Sequence, residues 1–370
     1  MRSVRRHAVP AVPGVLSADD VLRSARAIAA VQEPSGAIPW FAGGHVDPWD
    51  HVESAMALSA AGLWAEAEAA YAWSQRTQRA DGSWPLQLRD GQVEDAGADT
   101  NFCAYIAVGV WHHYRVTGDE AFAALMWPTV RRALDFVLEL QTARGEIGWA
   151  KGASGEVCWE ALLSGCASIH QSLRCGLALA GVVGESQPEW EIALGQLAHV
   201  LAVHPEAFAE KTRYSMDWYY PVLGGAVRGE AGRERIEYRW DDFIVDGLGA
   251  RCVDDHPWVT GAETCELVLA LDALGEWERA LEQFAAMQHL REEEDSSYWT
   301  GLVFADGKRW PEERTTWTAA AVILAADALS RTTPGNGIFR AEGLPSGLAV
   351  DRHACGCSPT VRRLASRSDR

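Results

Sequence analysis

The stretch Gln78-Arg-Ala-Asp-Gly82-Ser-Trp84 decides the fold, because it comes back. Gln32-Glu-Pro-Ser-Gly36 leads to Trp40, and Gln141-Thr-Ala-Arg-Gly145 leads to Trp149, so Gln-x-x-x-Gly is followed three times by a Trp two or four residues on. Return at intervals of several tens of residues marks a repeated supersecondary unit. The unit here is a helical hairpin. Apolar positions at helical spacing fill Pro48 to Ala61 and Trp64 to Thr77 ahead of the second copy, then Thr100 to Thr117 and Asp119 to Leu140 ahead of the third. One such hairpin is too thin to bury its own apolar face, so neighbours must stack side by side.

The same reading extends outward. Ser17-Ala-Asp-Asp20 is a helix cap before Val21 to Val31. Two more helices fit between Ala161 and Ala209, and Tyr214 to Asp242 reads as a looser segment rich in Trp and Tyr. Helical pattern resumes over Trp258 to Leu274 and Gly275 to Met287, and a last apolar helix covers Thr316 to Ser330. Five to six hairpins with no block of strands predict an all-α fold, an α/α toroid (six-hairpin barrel). The Gly/Trp loops all follow second helices and would gather on one rim. The expected division is a leader over 1–14, one toroid domain over 15–333, and a disordered tail over 334–370.

A formal charge of -18 excludes a nucleic-acid partner, since phosphate binding needs clustered Lys and Arg. No apolar run approaches the length of a membrane span, and the basic N-terminus lacks the apolar core of a secretory signal. The eight Cys show no paired metal spacing; Cys355-Gly-Cys357 is too short to count as one, and no cofactor or metal is expected. Together these features suggest a reduced, cytoplasmic protein. Seventeen Trp, many beside Gly in loops, point to an aromatic-lined cavity.

The stretch with most chemical promise is Cys158-Trp159-Glu160, where a Gly-rich loop turns into an apolar helix. A carboxyl screened by an indole tends to keep its proton and can serve as a general acid. The plain alternative is an acidic residue favoured by the first turn of a helix.

The copy at Gln78 resembles the QW motif of the squalene cyclases and prenyltransferase β subunits, which are α/α toroids. A second resemblance covers more of the chain. Pro48-Trp49-Asp50, Trp159-Glu160, and Pro311-Glu312-Glu313 with Thr315-Thr-Trp317 are similar, in that order, to three active-site segments of glucoamylase-like (α/α)6 glycosidases. The resemblance implies a glycoside hydrolase acting on a glucoside or oligosaccharide by inversion. In it Glu160 is the general acid, Glu312 or else Glu313 the general base, and Asp50 a ligand of sugar hydroxyls. Inversion needs two carboxyl groups roughly 6.5–9.5 Å apart.

Trp40, Trp49, Trp84, Trp159, Trp218 and Trp258 are candidates for stacking on sugar rings, with about half expected to be packing residues. Asp99, Asp241, Asp242 and Glu263 sit near loop ends and are candidate hydroxyl ligands. Two other classes fit the same toroid: a terpenoid cyclase or prenyltransferase-like protein, which would need an apolar cavity, and a non-catalytic glycan-binding ring.

Overall fold

The computed structural model describes residues 7–347. Helix α1 (Ala18–Val31) starts at Ser17, whose side chain and that of Asp20 cap it reciprocally. It is followed by α2 (Pro48–Ala60), α3 (Trp64–Thr77), α4 (Thr100–Ala104), α5 (Ile106–Thr117), α6 (Glu120–Leu138), α7 (Leu163–Val183) and α8 (Pro188–Val203). Then come α9 (Ser215–Leu223), α10 (Gly229–Tyr238), α11 (Trp240–Phe243), α12 (Gly261–Leu274), α13 (Trp277–Ala286) and α14 (Thr316–Ser330).

Six of these form an inner ring in the order α2, α5, α7, α9, α12, α14, and α14 packs back on α2 to close it. A helix surrounded by others needs apolar or small residues all round. Accordingly every residue of α2 is buried, and so are nearly all of α12 and α14. The outer helices α1, α3, α6, α8, α10 and α13 bury one face only. This is the expected all-α toroid.

The recurring glutamine explains how the ring is held. Gln32 Nε2 donates to Gly36 O in its own loop and to Glu66 O on α3, the next outer helix. Gln78 does the same toward Thr129 O on α6, and Gln141 toward Ala193 O on α8. The glycine is required by contact as well as by conformation: at Gly82, with φ of 92°, an added Cβ would lie 2.1 Å from the Arg132 carbonyl oxygen. A fourth clamp, one residue longer, escaped the sequence pattern. There Arg291 pairs with Asp20, and Ser296, in left-handed backbone, accepts a hydrogen bond from Ser24 of α1. That contact docks the last outer hairpin on the first and completes the circle.

Three stretches differ from expectation. Tyr214 to Asp242, read as loose, is mostly the hairpin of α9 and α10; its aromatic run leans away from helix by propensity, and burial of Trp218, Tyr219 and Tyr220 overrides that preference. Short strands form small sheets in the rim loops, among them Trp258–Thr260 with Gly301–Val303 and Lys308–Arg309, and Ala98–Asp99 with Ala150–Lys151 and Val157–Cys158. Residues 334–347 are packed rather than loose, because Ile338 and Phe339 are apolar enough to be buried at the barrel end. Gln171 and Arg228 hydrogen-bond the carbonyls of those two residues. At the other end Val12 of the expected leader is buried too. The rest of the leader before His7, and the tail with Cys355 and Cys357, lie outside the described residues.

Candidate active site

The first turns of α2, α4, α7, α9 and α14 surround a pit of about 390 Å³. Asp47 caps α2 by accepting from Asp50 N, and Asp99 caps α4 by accepting from Phe102 N. Each also holds an indole: Trp40 Nε1 donates to Asp47, and Trp149 Nε1 donates to Asp99 at 2.6 Å. Short side chains at helix starts thus fix two large rings around the opening. Trp49, Phe102, Tyr220, Met216 and Trp317 complete the wall.

Within this wall three polar atoms have no hydrogen-bond partner among the described residues: Asp50 Oδ2, Asn101 Oδ1 and Trp317 Nε1. A buried polar group left unpaired is costly, so a cluster of them at a cavity fits a polar ligand that would satisfy them. Asp50 is 5% exposed, and its carboxyl is pushed well above the usual range, first by burial and then by the neighbouring Asp47, Glu53 and Glu266 carboxyls. Burial likewise raises Asp47. Asp99 is pushed up to about 6 by burial, against the opposing pull of the Phe102 N–H and the Trp149 indole.

Below the pit, on the barrel axis, lies a second set of acids. Glu53 stands one helical turn beyond Asp50 and accepts from Tyr105 Oη at 3.2 Å. Glu266 on α12 accepts from Tyr219 and Tyr220. Trp49, stacked on Tyr105 with ring centroids 3.5 Å apart, lines both this axial space and the pit.

The sequence-derived candidates separate clearly. Asp50, Asp99, Trp40 and Trp49 come together in the pit. Glu263 is 5% exposed, in the first turn of α12, three residues before Glu266 and so on the same face. It is not among the residues lining the pit. Glu160 is exposed at the end of the Val157–Cys158 strand, with its carbonyl bound by Trp149 N, and Trp159 beside it is 55% exposed. Glu312 and Glu313 line a neighbouring cavity of about 440 Å³ with Phe41, Trp299 and Arg314. Glu312 is exposed, whereas Glu313 is half-buried and its carboxyl is raised by burial. No cavity described here is lined by both Glu160 and Glu312.

Among the remaining aromatics, Trp84 donates to Ser74 O and Trp218 to Arg235 O, both as buried packing residues. Trp258 lines a separate rim pocket. Asp242 is exposed and held by Arg239, and Asp241 is exposed on the same turn.

Sequence reasoning passed over Asp47, Asn101, Trp149 and Trp317 as site residues. Asp47 did carry a signal, since an Asp before Pro at a helix start is a strong cap. Trp149 stood in the third repeat, but its pairing with Asp99 spans fifty residues and is a tertiary fact.

No family model matches the chain. A glycosidase in its wild-type form has the same fold, with a TM-score of 0.65 at 15% identity over 84% of this chain and 96% of that one. A D-mannose isomerase follows at 0.63 and 8% identity, over 83% and 96%. A sugar epimerase from a ruminal bacterium gives 0.60 at 10%, over 83% and 98%. The MMP endo-(1,4)-3-O-methyl-alpha-D-mannosidase of Mycolicibacterium hassiacum is 66% identical over 355 residues, which is 96% of this chain and 98% of the relative. Kinship of that degree over nearly the whole length is decisive, and the chain belongs to the same family of glycosidases as this mannosidase.

Proposed function

We propose that this chain is an endo-acting mannosidase that cleaves (1,4)-linked 3-O-methyl-α-mannoside chains with inversion, using Asp50 as general acid and Glu263 as general base. The observation that carries the reading is the buried Asp50 carboxyl, open to the pit through an unpartnered Oδ2. Burial and the neighbouring carboxyls favour its protonated form, which an acid needs before it can give its proton to a glycosidic oxygen. The similarity to the mannosidase supports a mannoside rather than a glucoside.

The base must be a carboxylate with a free lone pair. Asp47 and Asp99 are engaged at both ends, by a capped N–H and by an indole. Glu263, in the first turn of α12, carries no such double commitment, being approached by the Cys252 thiol. Helices α2 and α12 flank α14 in the ring. Packed helices lie about 8–10 Å apart, so second neighbours in a hexagon are separated by about 15 Å between axes. Two carboxyl side chains reaching inward across that span suit the gap that inversion requires.

In the reaction Asp50 passes its proton to the bridging oxygen as the bond from that oxygen to C1 breaks. Glu263 takes a proton from water, whose oxygen bonds to C1 from the opposite face. The product is the β-anomer at the new reducing end. Trp40, Trp149 and Trp317 offer ring faces and one free N–H to the sugars.

The test is an NMR time course on a 3-O-methyl-α-(1,4)-mannotetraose. Wild type should release the β-anomer first; Asp50→Asn and Glu263→Gln should lose nearly all activity while staying folded. Glu160→Gln and Glu312→Gln, whose side chains are exposed on the rim loops, should keep most of it. The α-anomer appearing first, or Glu160→Gln proving inactive, would overturn this assignment.

A further inference from the structure

A second pocket on the same rim has a different character. It holds about 370 Å³ and is lined by Arg213, Val253, His256, Pro257, Trp258, Val303 and Trp310. Trp310 is 54% exposed. Its ring meets that of Trp258 edge-on at 4.8 Å, and Trp258 Nε1 donates to the Trp310 carbonyl at 2.8 Å. The sheet of Trp258–Thr260, Gly301–Val303 and Lys308–Arg309 holds both rings in place. The one indole N–H that could have served a ligand at the Trp258 side is therefore already spent on backbone.

The two polar side chains at this pocket each turn one nitrogen to Asp255. Arg213 pairs with Asp255 at 2.9 Å, and His256 approaches the same carboxylate at 2.8 Å. Most of the remaining lining is apolar: two indoles, two valines and a proline. The strand that carries Trp258 runs directly into α12, three residues ahead of Glu263. This pocket thus sits beside the start of the helix that carries Glu263.

We propose that the Trp258–Trp310 pocket is a subsite that reads the O-methyl group of one sugar residue in the bound chain, and so sets preference for methylated over unmethylated mannoside. The proposal rests on the endo-mannosidase reading. A free hydroxyl pressed against the Trp, Val and Pro surface of this pocket gives up water and finds no acceptor on those side chains, His256 Nε2 being the acceptor at hand, so burying it there is unfavourable. A methyl ether at the same position has no donor to lose and gains apolar contact. Even one methyl in a fitted apolar pocket can change specificity about tenfold or more. Indole faces also accept the C–H face of the sugar itself, so the methyl effect is expected as a ratio on top of ordinary stacking.

The experiment compares two substrates of equal length, 3-O-methyl-α-(1,4)-mannotetraose and its unmethylated counterpart. Wild type should favour the methylated chain about tenfold in kcat/KM, with the difference mainly in KM. In Trp310→Ala that ratio should fall toward one. Val303→Thr, which adds a hydroxyl at nearly the same volume and leaves both indoles in place, should lower the ratio as well; thermal melting of both variants reports whether they are folded. If Trp310→Ala weakens both substrates by the same factor, or a folded Val303→Thr leaves the ratio untouched, the pocket does not read the methyl group. If wild type cleaves both chains equally well, the pocket assignment fails while the mannosidase reading stands. Cleavage of neither chain would sink both.

Discussion

Two layers of buried carboxyl groups share this barrel, and the chain treats them differently. At the rim, Asp47 and Asp99 each accept one helix N–H and one indole N–H, while Asp50 between them keeps an oxygen free. On the axis, Glu53 and Glu266 are surrounded by tyrosine hydroxyls, and burial raises both carboxyls, Glu53 to about 8. Both layers favour the protonated acid, but for different ends. The axial acids are neutral polar groups that tie α2, α5, α9 and α12 together at the centre. The rim acid has the same tendency in a place a substrate can reach. Accessibility, more than proton affinity, separates a structural acid from a reactive one.

The largest effect that would break this contrast is on Asp50. Asp50→Asn should cut kcat by about 10²–10⁴, the usual worth of a general acid, with the melting temperature held or raised because a strained buried acid is gone. Activity of wild type should fall as pH rises through the elevated Asp50 value, since only the protonated form can donate. An Asp50→Asn enzyme with near-normal turnover would make the rim layer as structural as the axial one.

The next effect concerns the axis. Glu53 is raised from 4.5 to about 8, so between these values the native chain holds a proton that the unfolded chain has lost. The associated stability is complete below about pH 4.5 and is lost as pH rises through about 8. Glu53→Gln cannot ionise, and its amide oxygen can still accept from Tyr105. The variant should therefore melt higher than wild type at pH 8.5, by roughly 5 °C, with little difference at pH 5. Calorimetry at the two pH values checks this, and a pH-independent difference would show that Glu53 is not the group responsible.

How far this could be read from sequence follows from which contacts are local. The repeated Gln-x-x-x-Gly was visible because its geometry is set inside five residues, and its second bond, to the next outer helix, follows from the repeat itself. The fourth clamp was hidden because Arg291 and Ser296 do the same work with other chemistry. Asp50 was legible from its helix start as a candidate sugar ligand, and it does line the pit. The prominence of Glu160 rested on the indole beside it, and sequence carries no sign of which way a loop points. The hairpin over Ala150–Lys151 and Val157–Cys158 leaves Trp159 and Glu160 facing solvent and turns the indole N–H of Trp149, itself 40% exposed, in toward Asp99 at the pit.

The smallest effect tests that inward turn, and it sharpens the contrast within the rim layer itself. Asp99 serves two donors at once, the Phe102 N–H at 3.0 Å and the Trp149 indole at 2.6 Å. Asparagine is as good an N-cap as aspartate, but it has only one acceptor oxygen. In Asp99→Asn the oxygen can stay with the helix, and the amide NH₂ then opposes the indole N–H, donor against donor. The ring should lose its anchor while α4 keeps its cap. We expect a melting temperature lower by about 2–4 °C, the worth of one charge-assisted hydrogen bond in a chain of this size. KM should rise about threefold to tenfold, with kcat within twofold of wild type. Trp149→Phe, which removes the N–H but not the ring, should reproduce most of the KM change. Should Asp99→Asn instead abolish kcat while Trp149→Phe leaves it intact, Asp99 would be acting on the sugar directly, and the base would have to be sought in the rim rather than on α12.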